Sequence, residues 1–392
     1  MSTIDDLVER SCPDGVPYSR LGEVCTFAKG QKPRRDQQEV GPFPLVTAAK
    51  DAQARIAHFN LEGPALTMAS HGVPGFVNFW DSNIWLSNNV FLLMEDADVL
   101  SKKFLFYVLK SLSSEISTHV HTGGIPYFNS KDVALVRVPL PPLEIQAEIV
   151  GILDCFTSLE AELEAELEAR KQQYAHYRDI LTGFSKQSVV WKPLGQVGEI
   201  YSGLSGKSKS DFGRIGSPYV PFVEVFRNPA LDLGQCGLVR ISSSERQNTV
   251  HEGDVLFTTS SENPDECGMS SVVLSEPREA TYLNSFCFGV RLMDSQLLPE
   301  FSKHLFRSTP IRAQINRTAN GVTRFNISKE KFRGILIPIP SREVQEHVSG
   351  VLNQFEELST SIASGLPAEL TARRQQYEYY RDRMLTFKEK AS

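Results

Sequence analysis

The chain has 392 residues, room for two folded units of roughly 130 to 150 residues plus connecting elements. Its 41% hydrophobic and 22% charged residues are a globular composition, and a formal charge of −6 excludes a uniformly basic surface, so any contact with nucleic acid must come from local basic pockets. Six cysteines without a CxxC pair imply neither a zinc ribbon nor a disulfide framework; with no apolar h-region and no apolar run of about 18 residues, the expectation is a reduced, cytoplasmic protein with no membrane contact.

The chain repeats itself. LGEVCTFAKG from Leu21 matches LGQVGEIYSG from Leu194 at an offset of 173, with Leu21, Gly22, Val24 and Gly30 falling on Leu194, Gly195, Val197 and Gly203. GIPYFN from Gly124 matches GVTRFN from Gly321 at 197, PLPPLEIQ from Pro139 matches PIPSREVQ from Pro338 at 199, and RKQQYAHYRD from Arg170 matches RRQQYEYYRD from Arg373 at 203. The order is kept, which makes this a tandem duplication. Of the growth in offset, 24 residues enter between the first two motifs and only two to four at each later step. Two copies that share a frame while their interiors differ predict one scaffold carrying two different readers.

Residues 20–138 and 193–337 read as mixed, mostly β segments. FVNFW, NVFLLM, DVLFTT and SVVLSEP are β-branched or aromatic runs bounded by Gly, Asn and Pro, while SKKFLFYVLKSL and LPEFSKHLFRS have the period of surface helices. Three loops per half are candidates for touching nucleic acid. The first follows the opening strand and carries Lys29, Lys32, Arg34 and Arg35 in one copy and Lys207, Lys209 and Arg214 in the other; bases among glycines contact phosphates, although a solvated charged loop has the same composition. The second holds Ser70 and His71, or Thr258, Thr259 and Ser260, polar tips able to hydrogen-bond base edges. The third holds Gly123, Gly124, Tyr127 and Phe128, or Gly321, Arg324 and Phe325; the phenylalanines read as core or as base-stacking residues, and Asn129 and Asn326 as helix caps.

From Ile149 the residues Leu153, Phe156, Glu160, Leu163, Leu167, Arg170, Tyr174, Tyr177 and Leu181 recur at alternating steps of four and three, a heptad seam. About 40 helical residues would span about 60 Å. The second copy follows with Val348, Leu352, Phe355, Ser359, Ile362 and Leu366, then Leu370, Arg373, Tyr377, Tyr380 and Met384 after an extra step of four, a stutter at Gly365 to Pro367 that predicts a kink or short break. Each seam is a partner for the other; two core helices of ordinary domains are the plainer alternative.

Enzymatic signatures are missing. No Asn or Asp precedes Pro-Pro-aromatic, the nearest phosphate loop, SGLSGKS, has Tyr201 where its first glycine belongs, and His119 with His121 lacks a third metal ligand at matching spacing. Three readings stay open: a DNA-recognition subunit, a self-contained methyltransferase or nuclease with its own reader, and a coiled-coil structural protein without a DNA role.

The opening SCPDGVPYSRLGEVCTFAKG, the strap and helix PLPPLEIQAEIVGILD, the helix end RKQQYAHYRD and the recurrence of the last three elements resemble the DNA-specificity subunit of type I restriction-modification systems. The resemblance implies an α+β chain with target recognition domains at 1–140 and 186–338, a central helical region at 141–185 and a distal one at 339–392, the two long helices pairing as an antiparallel coiled coil. It further implies a non-enzymatic subunit on double-stranded DNA at a split, asymmetric site, with two methyltransferase subunits bringing S-adenosylmethionine and restriction subunits using ATP and Mg.

Overall fold

The computed structural model describes residues 2–50, 52, 54–293, 296–360 and 365–391. They gather into two compact units, Met1–Glu164 with Glu369–Ser392, and Ala165–Ala368. Each joins an α+β domain to parts of the long helices.

In the first unit the strap strand Arg137–Pro139 pairs antiparallel with Tyr18–Arg20. A four-stranded sheet runs in the order Cys25–Lys29, Val90–Glu95, Ala65–Ala69, Val77–Trp80, and a smaller one sets Val40–Val46 between Ala54–Ile56 and Trp85–Leu86, the latter pairing being parallel. The second unit repeats the frame. Val190–Pro193 pairs with Leu336–Ile339, the larger sheet runs Gly198–Ser202, Cys287–Leu292, Val255–Thr258, Ser270–Val272, and the smaller again ends on a parallel strand, Tyr282–Leu283 against Ser217–Val220. The four β-like runs read from the sequence all contribute to the larger sheets. The two helical runs form Lys102–Ser111 and Pro299–Leu305, whose Phe104, Leu105 and Val108, and Phe301 and Leu305, are buried in the sheet-and-helix cores. Each such side chain contributes on the order of 1.5 to 3 kcal/mol.

Strand pairing corrects one detail of the repeat. Phe128 donates its N–H to the Ser70 carbonyl, and the matching bond in the second unit comes from Ile327 to Thr259, not from Phe325. Asn129 caps helix Ser130–Leu135, and the equivalent cap is Ser328, whose hydroxyl accepts from Lys331 N–H; Asn326 lies in strand Phe325–Ile327. The third loop is therefore in register with the strap, at an offset of 199, and the two-residue step falls earlier in the chain. Phe128 is core, at 1% exposure, while Phe325 is only partly buried.

The central helix is continuous over Leu143–Leu181. The distal seam is carried by two helices, Arg342–Thr360 and Leu366–Leu385, with Pro367 at the second position of the latter, where a missing N–H costs no hydrogen bond. Ile362, assigned to that seam, lies outside the described residues. In the first unit Phe156 meets Tyr377 and Tyr380 at ring distances of 6.4 and 5.6 Å, and Arg374 pairs with Glu160 and Glu164, so the two helices run antiparallel. The charged seam position Glu160 thus has its counter-ion on the facing helix. Leu153 and Leu370 are buried, and Leu163 and Leu167 half-buried. In the second unit Tyr177 stacks on Phe355 at 5.1 Å, and Tyr174 and Leu352 join the core.

A buried glutamine ties each domain to its helix. Gln146 accepts from Ser101 N–H and donates to the Val99 and Pro141 carbonyls, each at 2.8 Å; Gln345 makes the same three bonds with Leu298, Gln296 and Pro340 at 2.8 to 2.9 Å. About two helical turns further the copies differ. Tyr107 donates to Asp154 at 2.5 Å, whereas the equivalent His304 bonds Asn353 at 2.7 Å through Nε2 and Tyr174 at 2.8 Å through Nδ1. Burial, aided by Lys303, pushes the His304 imidazole down to about 4 against the weaker pull of Asn353, Glu356 and Glu300. The folded state therefore refuses a proton that the unfolded chain accepts near 6.5, and stability falls as pH drops from about 6.5 towards 4, by up to about 3 kcal/mol. Denaturant unfolding at pH 7 and pH 4.5 should show a His304→Gln chain losing less on acidification than the parent; equal losses in both would refute the assignment.

Candidate nucleic-acid interface

In the first unit the chain reaches the surface through one close contact. A Cβ on Gly30 would strike the Leu86 carbonyl, and a Cβ on Gly203 the Asn284 carbonyl, so glycine is required where the first loop leaves the sheet in both copies. Gln31 N–H then bonds Leu86 O, and Leu204 N–H bonds Leu283 O. Lys32, Arg34 and Arg35 are exposed beyond that point, and Lys29 lies 5.4 Å over the ring of Phe91. The second loop turns inward at its start: Ser70 is fully buried, its hydroxyl donating to Asn89 O at 2.7 Å and meeting His71 Nδ1 at 2.9 Å. In the third, His121 and Tyr127 exchange both backbone hydrogen bonds, and the Tyr127 ring stacks on His121 at 4.7 Å and faces His71 at 6.2 Å. His121 Nε2 is spent on Asp132 at 2.9 Å; among the described residues no three metal-ligating side chains cluster. Gly123 and Gly124 are exposed.

The three loops meet. A cleft of about 590 Å³ is lined by Lys32 from the first, His71 and Gly72 from the second and Ile125 from the third, together with Ala48, Ser87, Asn88 and Asn89. The two asparagines escaped the sequence reading, although LSNNVFLL places them just before the central strand.

The second unit builds the same place differently. Lys207 is drawn back onto Glu245 at 2.5 Å and the Arg240 carbonyl at 2.6 Å, and this hydrogen bond holds the Glu245 carboxyl below its ordinary range; Lys209 and Arg214 remain exposed. Thr258 is buried, its hydroxyl accepting from Met269 N–H, and Thr259 N–H bonds the Phe286 carbonyl. Ser260 pairs in a strand with Asn326, and its hydroxyl accepts from Arg324, on the loop that Gly321 opens at φ +145°. Lys329 lies over Phe288, the counterpart of Phe91, and bonds Ser202, so each copy places a lysine on the same ring from a different segment. Exposed Phe286 occupies the position of Asn89, and was likewise not foreseen.

Compared with known proteins, the chain matches the type I restriction modification DNA specificity domain twice, over residues 13–169 and again over 189–372. It belongs to that family. The two matches fall on the two copies of the repeat. Over 402 residues, covering 95% of this chain and 94% of the relative, it is 29% identical to the specificity subunit of the type I restriction enzymes EcoR124I/EcoR124II of Escherichia coli. The fold is similar to the S subunit of a type I restriction-modification system from M. genitalium, with a TM-score of 0.58 at 14% identity over 95% of this chain and 96% of that one, and to a chain from a study of complex assembly in the type I R-M system, at 0.58 and 16% over 95% and 97%. DNA sequence recognition is the family's function, and among the described residues no helix is long and apolar enough to cross a membrane.

For a specificity subunit built this way, Gly203→Ala should displace the first loop of the second unit and weaken DNA binding at least tenfold while the thermal midpoint moves by only a few degrees. Unchanged affinity in a mobility-shift assay would show that this loop's path does not matter to binding.

Proposed function

We propose that the chain reads a bipartite, asymmetric DNA site, one half-site per unit, and delivers that choice to catalytic partners. The observation that carries this is chemical divergence on a common frame: at equivalent places the first unit presents His71, Asn89, Ile125 and Tyr127, and the second Ser260, Phe286, Arg324 and Asn326. Different side chains on one backbone frame favour different bases. Exposed Lys29, Lys32, Arg34, Arg35, Lys209 and Arg214 supply the sequence-independent phosphate contacts that a net charge of −6 cannot supply elsewhere. In this reading the chain does no chemistry of its own. Two methyltransferase subunits dock on the paired helices and bring S-adenosylmethionine, restriction subunits bring ATP and Mg, and the complex works in the cytoplasm.

Full-length chain with its methyltransferase partner, selected against a random duplex pool and followed by mapping of methylated adenines, should recover two short blocks of different sequence separated by unread bases. One contiguous block, or a palindrome, would overturn the bipartite reading. Replacing Arg34 and Arg35 by alanine should leave the blocks unchanged and reduce the slope of log K against log salt by up to about 2.

A further inference from the structure

Resting on that reading, we propose that Arg324 reads a guanine in the half-site of the second unit, held for that purpose by Ser260 and Phe286. Ser260 is 3% exposed, fixed by its strand pairing with Asn326, and its hydroxyl accepts from Arg324 Nε at 3.3 Å and Nη2 at 3.1 Å. A guanidinium has five donors arranged as two usable forks. The side fork, Nε with one Nη2 hydrogen, is spent on Ser260. The end fork, Nη1 with the other Nη2 hydrogen, makes no hydrogen bond among the described residues, and the residue is exposed. The guanidinium carbon also lies 5.9 Å from the ring centroid of Phe286. A side chain held on one fork and one face has already lost much of the rotamer freedom that binding would otherwise cost.

The free fork fits guanine. Its two parallel donors match O6 and N7, whereas adenine sets a donor at N6 against one of them, and neither pyrimidine offers two acceptors side by side. A phosphate also accepts a fork but gains nothing from an apolar ring beside it. Phe286, 56% exposed next to the guanidinium, supplies an apolar surface suited to a base edge such as the thymine methyl. The first unit has Ile125 and Asn89 at these places, so the preference belongs to one half-site alone.

The test uses the full-length chain with its methyltransferase partner, selected against a random duplex pool with the parent, Arg324→Ala, Arg324→Lys and Phe286→Ala. The parent should fix a guanine in one block. Arg324→Ala and Arg324→Lys should each lose about 5- to 150-fold of preference at that single position, the lysine variant keeping its affinity for random DNA, and Phe286→Ala should relax the same position or its neighbour. Uniform weakening across all sequences, rescued by lysine, would make Arg324 a phosphate contact and overturn the guanine assignment while leaving the DNA interface intact. No change in motif or affinity for any variant would remove the third loop from the interface and count against the proposed function itself.

Discussion

A glutamine side chain without access to water fixes where each domain sits on its helix. Gln146 and Gln345 each satisfy one N–H and two carbonyls that the strap and the connection into the domain's helix would otherwise leave buried and unpaired. Each such group costs about 1 to 3 kcal/mol when orphaned, so the clamp is strongly specified although a single neutral hydrogen bond adds only about 1 kcal/mol. The proline strap that precedes it cannot extend the helix backwards, and the strand it forms returns to pair with the opening of the same domain. Domain, strap and helix are thereby one mechanical piece in each unit.

The parts of this arrangement that obey a period were legible from residues alone. Ile149 to Leu181 announces a helix because a seam at steps of four and three survives any tertiary context, and the EIQ and EVQ motifs recur because their bonding geometry recurs. Side-chain direction in the loops was not legible. Ser70, Thr258 and Ser260 look like exposed polar tips, yet each is buried, with its hydroxyl bonded to another segment of the chain at Asn89, Met269 and Arg324. Lys207 reads as a free cation until Glu245 is brought to it across the smaller sheet. The two-residue slip in the third loop escaped for a related reason. GIPYFN and GVTRFN match by composition, while equivalence is decided by which N–H reaches the carbonyl of the second loop.

The frame tolerates different readers because it is held mainly by backbone. The first loop leaves the sheet through a glycine pressed against a carbonyl, the second loop is pinned by its own N–H to the segment before the central strand, and the third by an N–H to the second. Apart from the glycine, these contacts are made by backbone atoms, so Asn89 can become Phe286 and Ile125 can become Arg324 without moving the loops. The polar pairs at the helices behave differently. Tyr107 and His304 are buried and each is matched to a half-buried partner, Asp154 or Asn353, so exchanging one member alone would leave a buried hydroxyl or imidazole without this hydrogen bond. Variation at the surface is therefore cheap and variation at the helices must be concerted, which is the condition under which a duplicated chain can diverge in what it reads while keeping the scaffold that holds the readers.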